Sequence, residues 1–266
     1  MAILGSMNWA KKTQGLMSMT DKLRMIQGIV RSELATLAGR HRAPAPMPDL
    51  QWPDTAIVKE ILSECSELYS APLLAHVLRT YYWGAGLAHA DGKKVDLETF
   101  ALASMLHDLG LCQTHLAKAA CQCFAYTGAQ VAETLLTKHQ IEKRQQDVIL
   151  EAIVAHLNPY LPENNFSSEA VYLSYGAFLD VTGKQANKLN PAFIEFVHGE
   201  HLRNGFLTDI LETMKSPHHP SSRSGFMNKA FQKMVSTNDL NRYEAPPALA
   251  STSSKGFSPD PGNGPR

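Results

Sequence analysis

The chain has 266 residues, with 25 Lys+Arg against 25 Asp+Glu, a formal charge of zero. That balance argues against a nucleic-acid footprint and against a polybasic membrane anchor, since both need a basic surplus. Hydrophobic residues make up 44%, enough for a sizeable core, while no apolar run reaches the roughly 18–20 residues of a membrane span and four Cys suit reduced thiols better than a disulfide scaffold, so a cytoplasmic protein is expected.

The chain shows no internal repeat and no strand pattern. It reads as helices with clear punctuation. Residues 1–17 look loose. Thr20 or Asp21 can cap a first helix whose apolar positions are Leu23, Ile26, Val30, Leu34 and Leu37. A Pro-rich loop follows over 42–53, and Asp54 then caps a helix carrying Ile57, Ile61, Cys65 and Leu68. Ser70, with Pro72 in the first turn, opens LLAHVLRTYYWGAGLAHA, which ends at an Asp91-Gly92 turn. Asp96 caps LETFALASMLHDL, and Gly110 stops it. Residues 111–126 are less regular and hold three of the Cys.

Further helices are expected over 128–139 and over 142–157, the second ended by Pro159. Another runs from the Ser167 cap to Gly183, and one opens at Asn190-Pro191. Others cover 201–215 and, weakly, 226–236. From Ala245 onward the composition is rich in Pro, Ser and Gly, and a disordered tail is expected. The expectation is a single all-α helical bundle over 18–244, between a flexible tail at 1–17 and a disordered one at 245–266.

His107-Asp108 closes the apolar helix FALASMLHDLG. A buried carboxylate beside a buried imidazole is costly unless both are paired or bind a metal. A His–Asp hydrogen bond that closes the helix end is the plain alternative. Three more ligand-type groups lie in apolar stripes on other helices: His76 in LLAHVLRTYYW, His156 in AIVAHLNPY and Asp180 in YGAFLDVTG. A metal in the bundle core gives the four places one explanation. Two imidazoles and two carboxylates suit zinc, iron or manganese better than magnesium or calcium.

Other combinations read more plainly. Cys112, His115, Cys121 and Cys123 fit no strong zinc spacing and read as small buried groups. Thr182-Gly183-Lys184 lacks the spacing of a phosphate loop. His218-His219-Pro220 reads as a linker, His198 and His201 as a helix junction, and Tyr81-Tyr82-Trp83 as core packing.

In order and context, His76, His107-Asp108 and Asp180 resemble the H…HD…D pattern of the HD-domain superfamily of metal-dependent hydrolases, over roughly 55–185. The segments HVLRTYYWG, FALASMLHDLGL, FAYTGAQVAETLL, AIVAHLNP and YGAFLDVTG are similar to the cyanamide hydratase branch, which adds water to a small C≡N compound at a single metal ion. Two-metal members carry an additional His shortly before a Gly-Ala pair, and here Phe124 stands at about that place. The resemblance therefore implies one divalent ion, with zinc first and iron or manganese as alternatives, held by His76, His107, Asp108 and Asp180.

An ion with an open position lowers the pKa of bound water toward about 7. His156, with Asp108 at the ion, is the candidate catalytic group that moves a proton; a helix C-terminal His that complements the dipole is its alternative. Arg79, one turn after His76, suits a substrate or an internal carboxylate, and Asn158 and Tyr160 are candidate pocket residues. The resemblance implies hydration of a small cyanamide-like nitrile. The alternative is a metal-dependent phosphohydrolase acting on a nucleotide or small phosphoester. Such an enzyme calls for cations at the metal, and the motif's neighbourhood offers only Arg79, Lys93, Lys94 and Lys118. A catalytically silent binding module is a third reading. The expected partner is a small molecule, not nucleic acid or membrane, and a homo-oligomer is left open.

Overall fold

Side-chain caps start the helices that build the core. The structure, a computed structural model, describes residues 2–38 and 43–244. Ser70 Oγ accepts from the Leu73 amide and starts α4 (Ala71–Ala90). Asp96 accepts from Thr99 at 2.8 Å and starts α5 (Leu97–Leu106). Ser167 starts α9 (Ser168–Thr182), which Gly183 closes in the left-handed conformation at φ 72°. Asn190 caps α10 (Pro191–Glu200). Each cap satisfies an amide that the helix leaves without a partner.

Two expected caps move. Thr55, not Asp54, accepts from the third residue on and starts α3 (Ala56–Leu68). At α2 (Met19–Ala38) the cap is Ser18: its hydroxyl accepts from the Asp21 amide, and Asp21 accepts from the Ser18 amide at 3.1 Å. This reciprocal pair is a capping box with Asp in the acidic place.

The centre of the bundle is α4 against α9, with α5 beneath α4 and α8 (Lys143–Ala155) between α5 and α9. Two glycines set the α4–α9 distance. A Cβ at Gly84 would lie 2.5 Å from the Tyr172 carbonyl oxygen, and one at Gly176 would lie 2.5 Å from that of Thr80. No side chain fits there, so the helices meet nearly backbone to backbone, and Asp180 on α9 comes under the His76 end of α4. The aromatic run on α4 is packed as expected. Tyr81 donates to the Gln51 carbonyl at 2.7 Å, and Trp52 meets the Tyr81 ring edge-on at 4.8 Å, which ties the Pro-rich loop to the core.

The irregular stretch after α5 becomes short 3₁₀ turns, Leu109–Leu111 and Ala117–Ala120, around the one-turn α6 (Gln113–Leu116). The next helix, α7 (Phe124–Lys138), starts earlier than expected and packs against α8. Beyond α10 come α11 (Phe206–Lys215) and α12 (Arg223–Ser236), the latter longer than the weak pattern over 226–236. Among the described residues the extended pairing is limited to one bridge, Leu16 with Ser222, and no helix is long and apolar enough to cross a membrane.

Two expectations need correction. Residues 2–17 are not loose. They form α1 (Met7–Thr13) against α8, with Leu4, Trp9, Ala10 and Met17 buried. Trp9 donates to Asp21, and the Arg223 guanidinium lies 5.3 Å from its ring centroid. A few apolar groups suffice because they enter a groove the bundle already offers. The second correction is α2. Its apolar positions Leu23, Ile26, Val30, Leu34 and Leu37 all face solvent, and the buried side of the helix carries Asp21 and Met25 instead. The expected tail at 245–266 lies outside the described residues.

Candidate metal centre

His107 and Asp108 follow α5 directly, held in place by the tight turn that leads to α7. A Cβ at Gly110 would lie 2.0 Å from the Phe124 carbonyl oxygen, so the turn can press against the start of α7 only with glycine there. This closeness puts Asp108 at the centre of the bundle, facing His76 on α4 and His156 at the end of α8.

Three imidazoles surround that carboxylate, and each has its Nδ1 occupied from behind. His76 Nδ1 donates to Asp180 Oδ2 at 2.7 Å, His107 Nδ1 to the Ser104 carbonyl at 2.7 Å, and His156 Nδ1 to the Ile153 carbonyl at 2.6 Å. These acceptors carry no proton, so the proton sits on Nδ1 and the Nε2 lone pair is free. All three Nε2 atoms point at Asp108: His107 at 3.3 Å, His76 at 3.4 Å and His156 at 3.6 Å. Those separations exceed the roughly 2.7–3.2 Å of a good N–H···O bond. His107 Nε2 is buried without any hydrogen-bond partner.

The ligand atoms of His76, His107 and Asp108 lie within 4.8 Å of one another. Lone pairs converging on a buried carboxylate, with an orphaned nitrogen among them, form a donor set that fits a divalent cation. His156 flanks this trio on the other oxygen of Asp108.

Charge points the same way. Burial alone would raise the Asp108 carboxyl, but the positive charge that neighbouring imidazoles, His107 first, can carry holds it well below the usual carboxylate range. Burial followed by the neighbouring His107 pushes His156 down to about 3, so its ring is neutral. Burial lowers His76, yet Asp108 and Asp180 on its two sides outweigh that and raise it. Asp180 is met by Arg79 and Arg203, which leaves Asp108 as the carboxylate that calls for positive charge at this point of the core.

Asp180 has a different place from the direct ligand the sequence suggested. It lies behind His76, outside the converging trio, and its oxygens accept from Arg79 Nε and Nη2 at 2.8 Å each, from Trp83 Nε1 at 2.8 Å and from His76. Arg203 Nη1 lies 3.1 Å from Oδ1 as an ion pair without a hydrogen bond. With its lone pairs engaged, Asp180 orients His76, as a carboxylate commonly does for a ligating imidazole. Burial would raise Asp180, and the two guanidinium groups hold it well below the usual range.

Arg79 takes the internal carboxylate of its two expected partners, while Asn158 and Tyr160 lie away from the pocket. Arg79 is fully buried on Asp180 and on the carbonyls of His201 and Leu202. Asn158 is a structural clasp: it donates to the Leu4 carbonyl and accepts from Arg223 at 2.9 Å. Tyr160 lies beneath the Arg31 guanidinium, in a surface groove against α2 that Asn158 also lines. Neither borders the metal centre. Sequence order suggested these positions, but the chain leaves α8 in a direction that carries them away.

The pocket that opens on the trio has a volume of about 50 Å³. Its wall includes Phe124, Phe178, Ile210, Met214, Met227 and Ser224, from α7, α9, α11 and α12. Phe206 stacks on the His76 ring, with centroids 5.0 Å apart, and both Arg79 and Arg203 lie against its faces. Arg203, Phe206 and Ser224 carry no sequence signal as site residues, because they sit in polar or mixed segments far along the chain.

No curated protein matches the chain. The family model of the HD domain matches residues 73–177, a span that holds His76, His107, Asp108 and His156 and ends just before Asp180. Matched span, all-α scaffold and converging ligand atoms agree: over residues 73–177 the chain is similar to the HD domain, and there it brings together a His-His-Asp group able to hold a divalent metal.

Proposed function

We propose that the chain adds water to a small uncharged substrate of the cyanamide kind, giving a urea-type product. One observation carries this reading: among the described residues the wall of the pocket holds no Lys or Arg, and the buried guanidinium groups around it are engaged, Arg79 and Arg203 by Asp180 and Arg223 by Asn158. A phosphoester needs cations to meet its charge. A pocket of about 50 Å³ also suits a substrate of few heavy atoms. Phe124 on the wall, its ring 5.8 Å from that of His156, supports the one-ion arrangement.

His76, His107 and Asp108 would hold the ion, zinc first and iron or manganese after it, with His156 beside them. When bound, the ion acts as a Lewis acid that makes water nucleophilic near neutral pH. The residues supply the rest. Asp108 contributes the negative charge and Asp180 fixes the direction of the His76 ring. His156, with its Nδ1 proton pinned to the Ile153 carbonyl, would take at Nε2 the proton that the attacking water gives up and pass it to the developing anion on the substrate nitrogen. The aromatic and aliphatic wall keeps bulk water out.

Ser224 is the hydroxyl of the wall. Its oxygen lies 3.1 Å from both His218 Nδ1 and Ser222 Oγ, and Ser222 gives its own proton to the His219 carbonyl. The Ser224 proton is therefore committed to one of these neighbours, which leaves its oxygen to accept an N–H from the substrate.

The test is metal content per chain together with turnover of cyanamide and of a phosphoester panel. About one ion per chain and urea release without phosphate release are expected. Phosphate release without urea transfers the reading to a phosphohydrolase, and a protein that takes up no ion on reconstitution removes the metal centre.

A further inference from the structure

α2 presents an apolar stripe to solvent. Met19, Leu23, Ile26, Val30, Leu34 and Leu37 are 73%, 60%, 46%, 52%, 61% and 49% exposed. They repeat at eleven residues: Met19 with Val30, Leu23 with Leu34, Ile26 with Leu37. Eleven residues make close to three full helical turns, so the stripe runs nearly straight along the 20-residue helix, about 30 Å.

The charged neighbours lean away from it. Lys22 lies over the Phe226 ring and Arg31 over Tyr160, while Arg24 pairs with Asp21 and Glu33 with Lys184. A long apolar face cleared of charge at its middle is the mark of an interface.

We propose that this stripe is the contact surface between two copies of the chain, with α2 packed against α2 about a two-fold axis. A single straight stripe is self-complementary, which an isologous contact requires. The six side chains offer on the order of 600 Å² per copy, so about 1,200 Å² for the pair, the lower bound of a specific stable interface. The antiparallel arrangement is favoured, because it sets the helix dipoles in opposition. The chain's own segment 245–266 is a poor occupant, with one Leu and one Phe among its larger apolar groups.

Sedimentation velocity of the full chain across the micromolar range tests this. The wild type is expected at twice the chain mass. Leu23→Asp with Leu34→Asp is expected at the single mass with unchanged far-UV helicity, because neither residue packs on the body. Leu23→Gln with Leu34→Gln reads the same dissociation if the charged pair loses helix. A wild-type monomer throughout the range overturns the proposal, as does a dimer that survives both variants. A monomer that pellets with phosphatidylcholine vesicles through the stripe also overturns it and assigns the face to lipid.

Discussion

Leu106 on α5 and Leu23 on α2 are leucines on neighbouring kinds of helix, yet the first is fully buried and the second 60% exposed. α5 is apolar on every side, with Phe100, Leu102, Met105 and Leu106 all inaccessible, and a helix of that kind has no stable place except inside. α2 is one-sided, and the side it docks is the less apolar one. Asp21 on that side is held by Trp9 and Ser18, and the helix passes over Pro159 and Tyr160 at Gly28. The pair teaches that periodicity reveals amphipathicity but not which surface meets the apolar face. The same contrast separates the candidate metal centre, at the buried meeting of α4, α5 and α8, from the surface beyond α2.

The largest effect that would sharpen this contrast belongs to the centre. His107→Ala should lose the ion and the turnover that depends on it while keeping helicity, a loss beyond the 10–100-fold fall in metal affinity usual for an outer partner. Metal analysis with circular dichroism checks it, and full activity in the variant breaks the assignment.

Asp180→Asn removes the charge that faces two buried guanidinium groups and should cost about 3–5 kcal/mol of stability in a urea titration, with metal affinity falling about 10–100-fold. Close behind comes Leu106→Ala, expected to cost about 2–5 kcal/mol because it empties packed core volume.

A smaller effect concerns pH. Burial holds His198 and His201 neutral, both pushed down to about 4 from an ordinary 6.5. The unfolded chain takes up those protons first, so stability should decline as pH falls from about 6.5 toward about 4. Denaturant midpoints at intervals through that window should therefore drop, and a flat profile would contradict neutral burial of the two rings. The smallest effect is Leu23→Ala. In solution dilute enough to hold single chains it should stay within about 0.5 kcal/mol of wild type. A cost as large as that of Leu106→Ala would mean that the stripe is covered by the chain itself.

Much of the centre was legible in the sequence. His76, His107, Asp108, His156 and Asp180 stand out because ligand-type groups are rare inside apolar helices, where an unpaired one is expensive. The caps at Ser70, Asp96, Ser167 and Asn190 were readable because a cap acts over three residues of chain. Asn158 and Tyr160 were misread, since two residues after a helix end the chain can turn either way. The partner of Arg79 was open between substrate and carboxylate, and only packing put Asp180 beside it. Arg203, Phe206 and Ser224 had no local signature at all.

What the sequence determined by itself is the helical character, the boundaries that caps and glycines set, and the set of side chains able to meet a metal. These depend on local hydrogen bonds and on the cost of burying charge, and both are written in neighbouring residues. Only the tertiary structure decided the rest: that Asp180 stands behind His76, that α11 and α12 wall the pocket, that residues 2–17 pack, and that the stripe of α2 faces out. Each of these depends on which surfaces meet across long stretches of chain, where glycine at positions 84, 110 and 176 sets how closely backbones approach. That meeting is governed by shape and volume summed over the whole core, which no local pattern contains.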